Sequence, residues 1–219
     1  MKFFRLFLLF ISLSLLPSLS SAQEREWGSN IGADFQKKFG KKFALSLSEE
    51  VRLDNDFRHF DRLSSTLSGS YQLVKKHLKG GISYGALVYN KDSYCLLNHR
   101  LSAGLTGEAE AGKFGFSLRG KYQTTIKDES YGKQYKVNPE QCLRFKLSVD
   151  YNWKKPHLTP FVAAEVYYGL FEKDVTTMSY SAGIDHRFDK KNSLGLAFEL
   201  KDTNKKDKFF INLGYKFRF

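Results

Sequence analysis

Apolar and polar residues alternate with a period of two along most of the chain. Between Phe43 and Asp54, leucine and valine occupy odd-numbered positions, and serine, glutamate, arginine and aspartate occupy most of the even ones. This is the period of a β-strand that has one apolar and one polar face. About eleven segments repeat it, from Trp27 to Phe219. The pattern predicts an all-β protein.

Two kinds of connection alternate between these segments. Short lysine-bearing turns lie at 40–42, 75–76, 112–113, 154–155 and 190–191. Longer polar connections lie at 55–61, 90–94, 125–141, 169–175 and 202–208. Outer-membrane barrels have short periplasmic turns and longer extracellular loops. The spacing therefore predicts an antiparallel transmembrane β-barrel of 10 to 12 strands, with short Lys-rich periplasmic turns and longer extracellular loops.

The polar face of the predicted strands is strongly ionic, whereas the apolar face is almost free of charge. A soluble β-sandwich, the competing fold, would turn its apolar face inward and would not sort its turns by length. A membrane barrel instead encloses its charges. The predicted lumen charges are Glu50, Arg52, Arg62, Arg100, Glu108, Arg119, Lys121, Arg144, Lys146, Asp150, Glu165, Asp185, Arg187 and Glu199.

Residues 1–22 have the three parts of a secretory signal peptide. Lys2 and Arg5 precede an apolar run from Leu6 to Leu16, and small residues end at Ala22. The apolar run is shorter than the roughly 20 residues that a membrane-spanning helix needs. We therefore expect cleavage before Gln23, a barrel domain over residues 23–219, and location in a bacterial outer membrane.

The number of strands stays open at this point. If the lysine turns and the C-terminus face the periplasm, the first segment runs downward and leaves the N-terminus outside. Bacterial single-chain barrels normally have an even number of strands. Either a further short strand near the N-terminus makes twelve, or the first segment is not a full strand and the count is ten.

The net charge of +12 could suggest nucleic acid as a partner. Export and the scatter of the basic residues over turns and alternating positions favour solvated or headgroup-facing lysines instead. No serine-nucleophile motif, metal-spaced His/Cys set or phosphate-binding glycine loop is present, so we expect no enzyme, metal or cofactor. A cluster on the first long loop, Asp54, Asp56, His59 and Asp61, could form a protease-like Asp/His arrangement or bind a divalent cation. A solvated, charged loop is the preferred interpretation.

Two functions remain for the lumen, and its width decides between them. The excess of arginine and lysine on the polar face favours a narrow, weakly anion-preferring channel for a small anionic solute. Alternatively, paired charges fill the lumen and the barrel is closed, with a structural or adhesive role carried by its loops. Cys95 and Cys142 lie at ends of long connections, where either a disulfide or two free thiols is compatible with the sequence. The oligomeric state stays open.

Several short motifs carry a family resemblance. They are the start at Trp27, the Gly-Lys-Lys turn at 40–42, Asp61–Arg62, and the segments 158–165, 182–184 and 213–219. The chain resembles an uncharacterised family, a domain of unknown function, of outer-membrane β-barrel proteins common in Bacteroidetes-type bacteria. The resemblance implies location in contact with membrane lipid, and no activity. Tyr215, Phe217 and Phe219 also resemble the terminal signal that the barrel-assembly machinery recognises.

Overall fold

Eleven β-strands make up most of the chain that the computed structural model describes, residues 25–91, 93–130, 132, 134–153, 157–203 and 206–219. The predicted signal peptide (1–22) and the lysine turn at 154–155 lie outside these residues. Within them, no helix has the length and apolarity to cross a membrane. The strands are β1 (Arg25–Phe39), β2 (Phe43–Asp54), β3 (His59–Val74), β4 (Leu78–Asn90), β5 (Cys95–Ala111), β6 (Phe114–Lys127), β7 (Glu140–Tyr151), β8 (Leu158–Gly169), β9 (Asp174–Arg187), β10 (Asn192–Thr203) and β11 (Asp207–Arg218).

The strands close into one barrel in which each strand pairs antiparallel with the next in sequence. The closure is different, because β1 and β11 pair in parallel, with Trp27 opposite Phe209 and Phe35 opposite Phe217. The predicted all-β barrel of 10 to 12 strands is confirmed, with eleven strands in the described residues, a count between the two alternatives of ten and twelve. The parallel β1–β11 pair corrects the prediction that all pairs are antiparallel. β1 is a full strand that pairs along its length with β2. In an up-and-down barrel with an odd number of strands, the first and last run the same way.

The connections differ from prediction in length. All described lysine turns do lie at one end of the barrel, hereafter the turn side. At the other end, the loop side, only the connection at 128–139 is long, and the other four are about as short as the turns. The reason is that polar residues assigned to the connections continue the ladders, as His59 does opposite Asp54 and Asp202 opposite Asp207.

The outer wall of the barrel is apolar and the inner wall is polar. Ile82 and Leu118 point outward and are 70% and 60% exposed. Ser102, Gln123 and Thr125 point inward and are buried. The structure thus has an apolar outer face and a polar inner face, as the sequence pattern predicts. The β-sandwich alternative is wrong because the sheet closes on itself.

One carboxylate interrupts the outer wall. The strand alternation places Glu49 among outward leucines and valines, where it lies opposite Ala33 on β1 and Ser65 on β3. The Ser65 hydroxyl donates a hydrogen bond of 2.7 Å to Glu49 Oε1. The hydroxyl and the small alanine neighbour give this charged side chain a local polar contact in an otherwise apolar wall.

Candidate functional site

The candidate site is the interior of the barrel, because the inward strand positions carry nearly all of the wall's charge. The alternation of each strand places all fourteen predicted lumen charges at inward positions. They do not form one cluster. Most arginines lie toward the loop side, whereas Glu108, Asp150, Asp185 and Arg187 lie toward the turn side.

Toward the loop side, two inward arginines lie over aromatic rings, Arg52 over Phe210 and Arg62 over Tyr89. Arg52 Nε donates to Asn30 Oδ1 at 2.7 Å, and its guanidinium lies 4.6 Å from the centre of the Phe210 ring. Arg62 donates to the Tyr89 hydroxyl at 3.2 Å and to Glu50 Oε1 at 3.3 Å. Stacking on a ring and bonding to a fixed acceptor restrain these long side chains across the lumen.

A second arginine network joins β6, β7 and β8 around one buried carboxylate. Glu165, which is 7% exposed, accepts hydrogen bonds from Arg144 Nε at 3.0 Å and Arg119 Nη2 at 2.9 Å. Arg144 also donates to Gln123 Oε1 and to the Tyr167 hydroxyl at 2.7 Å. All three nitrogens of the Arg144 guanidinium are therefore bonded, and its position is fixed.

The interior at this level is filled by packed side chains. Leu87 and Phe210 point inward and are each only 2% exposed. Glu199 accepts hydrogen bonds from Ser179 at 2.7 Å and Asn212 at 3.2 Å, and Lys201 lies 3.4 Å from it. We call this group the arginine layer: Arg52, Arg62, Arg144, Tyr89, Tyr167, Glu165, Glu199, Leu87 and Phe210.

Sequence reasoning missed the uncharged members of this layer. Leu87, Tyr89, Tyr167 and Phe210 all occupy the polar parity of their strands. A large apolar or aromatic residue at an inward position near the loop-side end was the available signal. It shows where the lumen narrows, because such residues need packing partners inside the barrel.

The turn-side half of the interior contains open space. One cavity of about 490 Å³ is lined by Asp34, Asp185, Arg187, Lys216 and Arg218 among others. A second, of about 500 Å³, lies at the rim beside the 75–76 turn, and in it Lys79 contacts Glu108 at 2.6 Å. The interior of the barrel is therefore filled by packed side chains near the loop side and contains cavities near the turn side.

The charge of the interior is distributed unevenly around the wall. On β6 and β7, Lys121 lies directly opposite Arg144, and Arg119 lies directly opposite Lys146. Like charges directly opposite one another destabilise a sheet. Glu165, on the neighbouring strand β8, is the carboxylate bonded to this block of four cations. This part of the wall therefore presents a net positive charge to the lumen.

The two cysteines do not form the disulfide that the sequence left open. Cys95, on β5, is exposed, and Cys142, on β7, is buried, and both are free thiols. β6 lies between their strands. Cys95 has the parity of the outer wall and Cys142 that of the inner wall, so their side chains leave the sheet on opposite faces.

The loop cluster does not assemble a metal site. Asp54 Oδ1 and His59 Nδ1 lie 2.7 Å apart across the first β2–β3 pair. In the described part of the chain, no group of three or more His, Cys, Asp or Glu side chains could hold a metal ion. The Asp54–His59 contact closes the β2–β3 loop.

The C-terminal aromatic residues lie at the turn-side end of the barrel. Tyr215 is on the outer face, 38% exposed, and its hydroxyl donates to Asn192 Oδ1. The rings of Phe217 and Phe219 meet edge to face at 4.9 Å. The backbone N–H of Phe219 donates to the carbonyl of Gln36, which extends the parallel pairing with β1 by one residue.

The fold and its lining define a closed β-barrel with an apolar outer wall and a charged interior. The chain belongs to the family described as protein of unknown function (DUF2490), whose model matches residues 28–215. The predicted membership of an uncharacterised barrel family is confirmed. Comparison with curated proteins finds no match.

Proposed function

We propose that this protein is an outer-membrane β-barrel of a Gram-negative bacterium. The observation that carries the proposal is the outer wall of exposed apolar side chains, which has large exposed members on ten of the eleven strands, from Ile31 on β1 to Ile211 on β11. On β8 the exposed residue of this wall is the small Ala164. Monomeric soluble proteins rarely expose contiguous apolar patches larger than a few hundred Å². A bilayer removes this surface from water and leaves the charges enclosed.

Aromatic side chains at both ends of the outer wall support the same location. Trp27 stacks on Phe209 at 5.0 Å near the loop side. Phe39, Phe114 and Trp153 are exposed beside the turns. Such rings suit the two interfaces between hydrocarbon and headgroups. The predicted signal peptide and the lysine turns favour the orientation in which the turn side faces the periplasm.

Within that barrel, we infer a narrow passage that prefers small anions. The preference comes from the cations on β6 and β7, which outnumber the carboxylate bonded to them. Fixed positive charge on a pore wall favours anions over cations. The arginine layer is the narrowest part of this passage, because its side chains pack across the interior whereas cavities remain on the turn side.

The arginine layer also favours a second candidate, a closed barrel that acts through its loops. Phe210 and Leu87 are packed inside the barrel, and Arg144 is bonded at every nitrogen. If these side chains do not move, the arginine layer blocks ions, and the excess positive charge on β6 and β7 does not select permeating anions.

Single-channel recording in planar bilayers separates the two candidates. The passage predicts small conductance steps whose reversal potential in a KCl gradient reports anion preference. Lys146→Glu should lower that preference, while Lys113→Glu, in a turn, should leave it nearly unchanged. Absence of steps from folded protein would remove the passage and leave the closed barrel. Both candidates assume a folded outer-membrane barrel, and a shift in gel mobility on boiling tests that assumption.

A further inference from the structure

A third interior cavity has a lining unlike that of the other two. It has a volume of about 200 Å³ and lies against β3, β4, β5 and β6. Its wall consists mostly of small residues, because the inward positions there are glycine, serine and threonine. We call it the serine pocket, and its lining residues at inward positions are Ser68, Ser70, Gly81, Ser83, Ser102, Gly104, Thr106, Lys79, Arg119 and Lys121. Gly69, Gly80, Ile82 and Ala103, at outward positions, complete the lining.

Three cations line the serine pocket, and two of them form ion pairs with carboxylates. Lys79 is paired with Glu108 at 2.6 Å, and Arg119 with Glu165 at 2.9 Å. Lys121 forms no hydrogen bond or ion pair with any residue that the structure describes, and the residue opposite it on β7 is another cation, Arg144. An inward positive charge without a counter-ion, next to a second positive charge, favours an anion in the adjacent space.

The other side of the pocket supplies hydroxyl groups. Ser83 and Ser102 lie 2.7 Å apart, so one of these hydroxyls donates to the other and the second keeps its proton for a further acceptor. Among the described residues, Ser68, Ser70 and Thr106 have no side-chain hydrogen-bond partner. Several donors therefore face the same cavity as Lys121.

The absence of a side chain at Gly104 brings β5 close to Lys121 at the edge of this cavity. Gly104 lies directly opposite Lys121 on β5. A Cβ atom on Gly104 would lie only 2.6 Å from the Gly120 carbonyl oxygen and 3.1 Å from Lys121 Cβ. Glycine at this position therefore permits the close approach of the Lys121 stem to β5.

We propose that the serine pocket binds a small oxyanion of the phosphate class. A tetrahedral oxyanion has four acceptor oxygens, which match a lining of several hydroxyls, an arginine and a free lysine. The volume exceeds what a single halide ion fills. The proposal rests on the proposed barrel function in one respect, which is that water reaches the interior. It does not require that ions cross the barrel.

The route from the turn side to the pocket is mixed in charge. Lys79 lines both the serine pocket and the rim cavity, so the two spaces adjoin. The rim cavity is lined by four lysines, Lys41, Lys75, Lys76 and Lys79, and by three carboxylates, Glu108, Glu110 and Asp150. An oxyanion can therefore reach the serine pocket from the turn side without passing the arginine layer.

Titration calorimetry of the folded protein in uncharged detergent, with inorganic phosphate as the probe, tests this proposal. We expect one saturable site. Lys121→Gln should weaken binding at least about tenfold, because a charge-assisted bond contributes about 1.5–3 kcal/mol. Lys216→Gln removes an inward lysine that lines a different cavity, and should change the affinity less than about twofold.

A second variant tests the space itself and leaves every charge in place. A Cβ at Gly81 would meet its nearest atom, the Gly69 carbonyl oxygen, at 3.5 Å, an ordinary contact, so Gly81→Val should fold. Its extra methyl groups should fill the pocket and abolish phosphate binding. Unchanged binding in both Lys121→Gln and Gly81→Val would overturn the proposal, as would the lack of a saturable site or equal competition by chloride.

Conductance of the same samples keeps this proposal separate from the proposed passage. Phosphate binding without conductance steps would contradict the passage and support the pocket. Steps without saturable phosphate binding would contradict the pocket and support the passage.

Discussion

Lys121 lies directly opposite Arg144 in the β6–β7 ladder, so two positive charges share neighbouring positions on the inner wall. The next inward pair, Arg119 and Lys146, repeats the arrangement. Glu165 lies at its edge and bonds to both arginines. This part of the inner wall is thus a basic surface in which Glu165 is the carboxylate that bonds to the arginines.

Removal of the central carboxylate should destabilise the barrel. Glu165→Gln leaves Arg119 and Arg144 without their buried partner, and we expect a loss of about 3 kcal/mol in the free energy of unfolding. The temperature at which the folded form disappears on unboiled gels measures the change. Lys121→Gln is the matched control, because Lys121 lies opposite Arg144 on one side and Gly104 on the other, so its removal relieves repulsion and its transition should be equal or higher. A Glu165→Gln variant as stable as the wild type would contradict this account of the network.

The two neighbouring phenylalanines of β11 should have separable roles. Phe210 is inward and 2% exposed, whereas Phe209 stacks on Trp27 on the outer wall. Phe210→Ala removes a ring from the arginine layer, so we expect conductance in planar bilayers to rise, together with a stability loss of about 3 kcal/mol. Phe209→Ala should leave conductance at the wild-type value. Equal conductance in both variants would show that the arginine layer does not limit the passage.

The turn between β9 and β10 should respond to acid. The Asn192 side chain and the backbone N–H groups of Lys191 and Asn192 donate to Asp189, and these bonds lower the pKa of Asp189 from its ordinary value of 3.8. Because the folded pKa is depressed, the stabilisation is present above the unfolded-state pKa and is lost as the pH falls through the folded value. Carboxyl carbon shifts in NMR should show a pKa below 3.8, which rises in Asn192→Ala. An unchanged pKa in that variant would rule out this cause.

The sequence was sufficient to predict the strands and their faces, because each is a local property of alternating residues. Leu118 and Arg119 are adjacent, and their parity alone indicates which one faces out. The loop lengths were overestimated because His59 and Asp202 look like loop residues but pair across the ladder. Whether two polar residues continue a ladder depends on the partner strand, which a local pattern does not contain.

The site was predictable only as a list of charges. The inward position of Arg144 follows from alternation, but its contacts with Gln123, Glu165 and Tyr167 depend on the register of β6, β7 and β8. The parallel β1–β11 seam depends on the total number of strands. Sequence reasoning rested on a preference for even counts in related architectures, and the full pairing of β1 with β2 overrides that preference.

The central claim is that the apolar outer wall of the barrel contacts lipid while the polar inner wall does not. Lipid contact measured at single labelled positions tests this claim most directly. Leu118 is outward and 60% exposed, and its neighbour Ser117 is inward, with its hydroxyl 2.7 Å from that of Ser148. In a background lacking Cys95 and Cys142, a fluorophore is attached to Leu118→Cys or to Ser117→Cys, and the protein is folded into vesicles with brominated acyl chains. The account predicts strong quenching at position 118 and little at position 117. Equal quenching at both positions, or none at 118 with the protein remaining in the aqueous phase, would contradict it.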